Sequence, residues 1–373
     1  MPSNTRPPLR FGIGELAGSL GDFGTILPLS LALAATGAVG IGPVLLFLGI
    51  WFIIAGYYYR YPVPVEPMKA IAVIAVSVGM SGGEIAAAGI ILGVIFLLFG
   101  FTNILEIIER YIPLPVVRGI QLGLAFILLK TAAGYLIPDP IHFIVGAIII
   151  VVGFFVAMHF RVPDLSSIAV IIVALAAGIL AHGFPPLTTL SLSLVSIPGR
   201  SEVIAALQDL VLPQAILTIT NAILATSLLA KDLFKAEIRP RKLSMTIGLM
   251  NLTSIPFGGM PMCHGAGGMA GQYRFGARTG GANIYAGVIL VLAALLFAST
   301  AWLGLISPGF FAALLVFVAI ELGRHGLKTD SLVVTLATAL LSLLISVTVA
   351  FIAGMCLAYG IPYVMKQIRE KIG

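Results

Sequence analysis

Six stretches of this chain run without a single Asp, Glu, Lys or Arg: Ile41 to Ile54, Ile85 to Phe101, Ile141 to Val156, Ile168 to Leu180, Ala282 to Leu305 and Ser331 to Ala358. About 20 apolar residues cross a hydrocarbon core of about 30 Å as helix. In lipid only helices and closed barrels leave no backbone polar group unpaired. A barrel would show short strands of alternating polarity, and these runs do not alternate. The chain therefore reads as an all-α polytopic membrane protein. A mean hydropathy of +1.11, with 59% hydrophobic and 10% charged residues, fits the same class.

We place about fourteen membrane segments, at 12–36, 41–60, 66–81, 84–102, 115–135, 141–158, 166–182, 205–230, 242–257, 263–275, 282–303, 308–323, 329–345 and 347–365. The third and tenth are too short to cross as helix alone and read as half-helices. No cleavable leader is evident in "MPSNTRPPLR". An even count puts both termini on one side. Basic residues gather at those termini (Arg6, Arg10, Lys366, Arg369, Lys371) and in loops assigned to the same face, such as Arg60, Arg161, Lys231, Lys235, Arg274 and Arg324. The opposite face holds little beyond Arg200 and Lys130. By the positive-inside rule both termini are cytoplasmic, in the cytoplasmic (inner) membrane. The same loops account for the net charge of +6, so no nucleic-acid partner is called for. The two cysteines, Cys263 and Cys356, do not suggest a disulfide framework.

Seven segments plus seven suggest an inverted repeat: a first copy over 1–182, a connecting segment over 183–204 and a second copy over 205–373. Asp22, mid-way along the first segment, precedes Pro64 of "PVPVEPMKA" by 42 residues. Asn221, mid-way along the eighth, precedes Pro261 of "PMCHGAG" by 40. Each half thus sets a polar mid-membrane helix ahead of a Pro-led short helix. Irregular backbone at membrane depth is tolerated only where protein buries it or it lines a cavity. The first N–H groups of a helix lack internal partners and favour an anion. Two such tips meeting near the midplane would make an anion site, and Gly265, Ala266, Gly267 and Gly268 would let the anion reach the backbone.

Polar stripes frame this site. Glu15, Ser19 and Asp22, continued by Thr25, share a helical face, with Asp22 about 15 Å into the span. Gln214, Thr218 and Asn221 repeat that spacing. The candidate binding residues are Asp22, Thr25, Glu66, Met68, Lys69, Thr218, Asn221, Cys263, His264, Gly265 and Ala266. Glu66 could carry a coupling proton or cap a helix; Asp22 could carry the proton or accept hydrogen bonds structurally. Lys69 could attract an anion or pair with Glu66. His264 could donate to a substrate, titrate near neutral pH, or make a helix-start hydrogen bond. "GAGGMA" lacks the strand context of a dinucleotide loop, the "DFG" at Asp22 lacks the rest of a kinase signature, and no acid or histidine cluster has metal-ligand spacing. No enzymatic constellation, metal or cofactor is expected.

"GELAGSLGDFGTILPLSLAL", "PVPVEPMKAIA" and "PMCHGAGGMAGQYRFGARTGG" resemble the signature segments of the molybdate transporters, a branch of the sulfate permease superfamily. The resemblance implies the seven-plus-seven inverted-repeat fold shared with uracil and bicarbonate transporters. It implies a core domain (segments 1–4 and 8–11) moving against a gate domain (5–7 and 12–14), and uptake of a tetrahedral oxyanion, chiefly molybdate, with sulfate related. The expected partners are that oxyanion, a coupling cation such as the proton, the bilayer and a second copy in a homodimer. Sulfate permeases usually carry a cytoplasmic STAS domain after the last span; only eight residues follow it here, as in the molybdate branch. A dianion moving into a negative-inside cell works against about 2.3 kcal/mol per charge per 100 mV, so cation co-transport is expected. A sulfate transporter of the same fold and a passive anion channel are the alternatives.

Overall fold

The structure, a computed structural model, describes residues 7–372 except 103, 110, 163, 186–189, 193 and 298–300; at 106, 108, 109, 321, 322, 325 and 361–372 it describes the backbone alone. The first half contains α1 (Ile13–Ser19), α2 (Phe23–Ala35), α3 (Ile41–Tyr59), a two-residue strand β1 (Glu66–Pro67), α4 (Lys69–Val78), α5 (Gly82–Phe99), α6 (Ile104–Glu109), α7 (Leu114–Leu136), α8 (Pro140–Phe160) and α9 (Ser166–His182). The second half opens with a continuous helical run, Arg200–Phe234. It comprises α10 (Arg200–Ala205), α11 (Leu212–Leu217) and α12 (Ala225–Phe234), joined by π turns at Ala206–Val211 and Thr218–Leu224. Then come α13 (Pro240–Ser254), β2 (Met262–Cys263), α14 (Ala266–Arg274), α15 (Gly281–Leu296), α16 (Ala301–Gly304), α17 (Pro308–Gly326), α18 (Leu332–Leu344) and α19 (Val347–Ile372).

Each of the fourteen sequence-derived segments contains helix. Among the described residues, six helical stretches are long and apolar enough to cross a membrane, including Ile13–Ala35, Pro140–Phe160 and Arg200–Phe234. The all-α expectation needs one correction, the antiparallel pair β1–β2. Its cause is local: Pro64, Pro67 and Pro261 fix their own φ and bias the residues before them towards extended backbone.

The first segment is not one helix either. It breaks at Leu20–Asp22, where the chain lies directly on α14. A Cβ on Gly21 would sit 2.7 Å from the Gly271 carbonyl carbon, so only glycine permits this approach. The eighth segment bends through its π turns. Pro213, just after the first of them, has no N–H to offer the preceding turn.

Packing runs between the halves. α3 lies on α15, α5 on α13, and α7 on α17 and α18, with α8 also against α17. The buried core is aliphatic and aromatic, with Phe52, Phe96 and Phe310 among its largest fully buried side chains. α8 instead shows Ile141, Ile148, Val152 and Phe155 on its surface, the pattern of a helix facing lipid.

Candidate functional site

Two extended lead-ins cross at the centre of the molecule. Glu66 stands opposite Cys263 and Pro67 opposite Met262. The Met68 N–H donates to the Pro261 carbonyl at 2.9 Å. Strands this short leave backbone groups over, and side chains take them up. The Asn251 amide donates to the Met262 carbonyl (2.7 Å) and accepts from the Met262 N–H (2.9 Å). Asn283 donates to the Val63 carbonyl. Irregular backbone is therefore satisfied where no lipid or water could satisfy it.

His264 belongs to this frame. Its Nδ1 is 2.8 Å from the Pro64 carbonyl, which can only accept, so Nδ1 carries a proton. Its Nε2 lies 2.8 Å from Thr246 Oγ1, itself 2.6 Å from the Tyr59 hydroxyl. With both nitrogens engaged, the ring ties one lead-in to the other. Both bonds are made within this frame, just ahead of α14, and neither goes to the first turn of that helix.

The two crossings deliver α4 and α14 to one cavity, but their tips are not alike. At α4, Gln214 from α11 reaches over, and its Oε1 accepts from the N–H groups of Ala70 (2.9 Å) and Ile71 (3.4 Å). Its Nε2 donates to Thr218 Oγ1 at 2.9 Å. At α14, the Gly268 N–H donates to Glu66 Oε1 at 3.2 Å, while Glu66 Oε2 pairs with Lys69. The expectation of two bare tips is thus corrected: the α4 tip is capped by an amide, and the α14 tip already faces a carboxylate.

The cavity measures ≈ 670 Å³. Asp22, Thr25, Glu66, Lys69 and Asn221 line it, and Cys263, His264, Gly265 and Ala266 form its α14 side. Met68 and Thr218 do not. Met68 is fully buried behind the strand crossing, and Thr218 serves as the acceptor for Gln214. Glu15 also leaves the expected stripe. Its carboxylate accepts from the N–H groups of Arg278 (3.1 Å), Thr279 (2.9 Å) and Ala282 (3.2 Å), holding the start of α15.

Two contributors, Arg118 and Gln121, escaped the sequence reading, and the role of a third, Gln214, was legible only in part. Gln214 stands in the polar stripe, yet its reach across to α4 has no sequence signature. Arg118 and Gln121, on α7, line the cavity and bond to each other at 3.0 Å. Arg118 Nε is buried without a partner among the described residues. An arginine inside the apolar stretch Leu114–Leu136 was signal enough, since intramembrane charges mark functional sites by default.

The profile of a family described as "Molybdate transporter of MFS superfamily" matches residues 14–128 and 206–322. The chain belongs to the molybdate transporter family. Molybdate transporter 1 of Arabidopsis thaliana is 32% identical over 405 residues, covering 92% of this chain and 87% of that protein. Molybdate transporter 2 of the same plant is 30% identical over 370 residues, covering 85% and 79%. Molybdate transporter 1 of Chlamydomonas reinhardtii is 25% identical, covering 76% and 77%. All three carry the names of transporters, not enzymes. Among solved structures, the transmembrane domain of the cyanobacterial bicarbonate transporter BicA superposes with a TM-score of 0.71 at 18% identity, over 94% of this chain and 98% of that one. Murine Slc26a9, an anion transporter in its inward-facing state, gives 0.69 at 13% identity, over 97% and 69%. At such identities the likeness concerns the fold alone. Both family segments contain site residues. Asp22, Glu66, Lys69 and Arg118 fall in the first; Gln214, Asn221 and the α14 tip fall in the second.

Proposed function

We propose that this chain is a secondary active transporter that imports a tetrahedral oxyanion, molybdate first, by alternating access. The observation that carries the reading is the α14 tip. A helix N-terminus with a glycine-rich first turn opens on a central cavity that also holds Lys69 and Arg118. The N–H donors and positive end of a helix tip bind an oxyanion without a fixed cage of charge, which suits a protein that must release its cargo. The names of the relatives supply the cargo, molybdate, a tetrahedral dianion.

Several finer readings belong to the same proposal. The chain crosses the membrane fourteen times as two inverted repeats, 1–182 and 205–373, with both termini in the cytoplasm and α4 and α14 as half-helices. Segments 1–4 and 8–11 form a core, and segments 5–7 and 12–14 a gate. The pairing of α3 with α15 and α5 with α13, against that of α7 with α17 and α18, supports this division. The cavity then lies between the two parts, with Asp22, Glu66 and Lys69 on the core and Arg118 on the gate. Import is coupled to a cation, the proton first, through Asp22 or Glu66. A homodimer, with the gate as the stationary scaffold, belongs to the same reading.

Calorimetric binding of molybdate to the purified protein, with and without a large excess of sulfate, tests the cargo. Binding that survives sulfate is expected; binding abolished by sulfate would move the chain to general sulfate transport. Molybdate-stimulated counterflow in liposomes tests the carrier, since a passive channel gives no exchange. Uptake unchanged by a pH gradient, and unchanged in Asp22→Asn and Glu66→Gln, would remove the proton.

A further inference from the structure

The cavity that should receive a dianion is already furnished with anions. Glu66 is 1% exposed, and its carboxylate receives the Gly268 N–H inside the first turn of α14. The backbone is shaped around it. A Cβ on Gly265 would overlap the Glu66 carboxylate, and one on Gly268 would lie 2.6 Å from Glu66 Oε1 and closer still to Asp22 Oδ2. The groups facing Glu66 are Lys69 on α4, Asp22 at the α1–α2 break, Cys263 on β2 and His264 just after it. His264 is tied to Pro64 and Thr246, so Lys69 is the one ammonium set against two carboxylates. With both acids ionised, Lys69, Glu66 and Asp22 together carry one net negative charge; Arg118, Arg274 and Arg324 line the same cavity, so the repulsion a dianion meets is local to the α14 tip. An oxyanion and the Glu66 carboxylate also compete for the same N–H donors.

Resting on the oxyanion reading, we infer that the Glu66 carboxylate is a tethered stand-in for the cargo: it occupies the α14 tip of the empty carrier, and an oxyanion binds there only when Glu66 is neutralised or withdrawn. Protonation does both. A neutral carboxyl binds the helix tip and Lys69 less well, so the side chain yields the tip and releases Lys69 to the incoming anion. Cargo and proton then arrive together because one vacates the place of the other. The sign is definite: oxyanion binding tightens as pH falls.

The test is calorimetric binding of molybdate, at micromolar concentration, to the full chain at about pH 6 and about pH 8. Displacement linked to one proton weakens apparent affinity by up to about tenfold per pH unit. The wild type is expected to lose up to about a hundredfold across that range. Glu66→Gln should bind tightly and equally at both pH values. Glu66→Ala, which empties the tip outright, should match Glu66→Gln and guards against a glutamine that still occupies it. Size-exclusion profiles establish that each variant is folded. Folded Glu66 variants that keep the wild-type affinity and slope, or that lose binding while the wild type binds, overturn the inference; the latter would make Glu66 part of the cargo's own surface. If neither wild type nor variants bind molybdate or sulfate at either pH, the oxyanion reading itself falls and takes the inference with it.

Discussion

Gln214→Leu isolates what the cross-half cap contributes. The glutamine is 1% exposed, and leucine fills nearly the same volume, so packing changes little. What is lost is one acceptor serving two donors, the N–H groups of Ala70 at 2.9 Å and Ile71 at 3.4 Å. An orphaned buried donor costs about 1–3 kcal/mol. The longer bond lies at the edge of useful geometry, so the pair should cost about 2–4 kcal/mol rather than the full sum. Thr218→Val provides the scale. It removes only the partner of Gln214 Nε2, one orphaned group, and should cost about half as much. Thermal unfolding of the purified protein in one detergent orders the two variants. Uptake should follow, because Lys69 is the first residue of α4 and moves with that tip. A Gln214→Leu protein no less stable than Thr218→Val would refute the capping argument, and one that melted and transported like the wild type would remove Gln214 from the site.

Gly21→Ala forces a Cβ to within 2.7 Å of the Gly271 carbonyl carbon, an overpacking worth about 1–3 kcal/mol, and should depress both melting temperature and uptake. Gly12→Ala, with nothing within 4 Å, should be neutral in the same assays. Arg118→Met should raise the apparent KM for molybdate by about tenfold or more, equivalent to about 1.4 kcal/mol, with maximal rate largely kept; an unchanged KM would take Arg118 out of the binding surface. Asp139, outside the spans, caps α8 and accepts from the Gly309 N–H at 3.0 Å. Partial desolvation pushes its carboxyl up, but the Gly309 and His142 donors outweigh it and hold the group below its ordinary 3.8. A depressed carboxylate stabilises the fold fully above its unfolded value and loses that contribution as pH falls through the folded one. Asp139→Ala should therefore cost about 1 kcal/mol at neutral pH, with the gap to wild type closing in acid below about pH 4.

The membrane class was legible because lipid admits so few backbone solutions, and the apolar runs state it residue by residue. The extended lead-ins were legible too, since prolines at 64, 67 and 261 act on their own dihedrals and those of their neighbours, whereas their pairing across the two halves was not. The polar stripes were legible only in part. Helical spacing put Glu15 beside Asp22, but the chain breaks between them, and Glu15 finds its donors at Arg278, Thr279 and Ala282, more than 260 residues away. A π turn at Thr218–Leu224 likewise shifts the faces of the eighth segment, so Asn221 reaches the cavity while Thr218 does not. Propensity and periodicity report on neighbours within a turn or two; a partner chosen across the fold leaves no mark in them.

Those distant partners share one pattern. Gln214 of the second half caps α4 of the first. Glu66 of the first half fills the tip of α14 in the second, and Glu15 of the first half holds the start of α15 in the second. Each helix end therefore depends on a side chain from the opposite half, and neither half alone could satisfy its buried N–H groups at membrane depth. The occupant of the α14 tip is carried by the strand that leads straight into α4, and the cap of α4 is carried by the helix beside the cavity. Any change at one tip acts directly on the segment that presents the other. An arrangement of two separately capped helices would bind an anion equally well, but exchanging the occupant at one tip would leave the second undisturbed. Reciprocal capping joins the two, which is what the proposed alternating access needs if occupancy of the site is to alter the position of the elements around it.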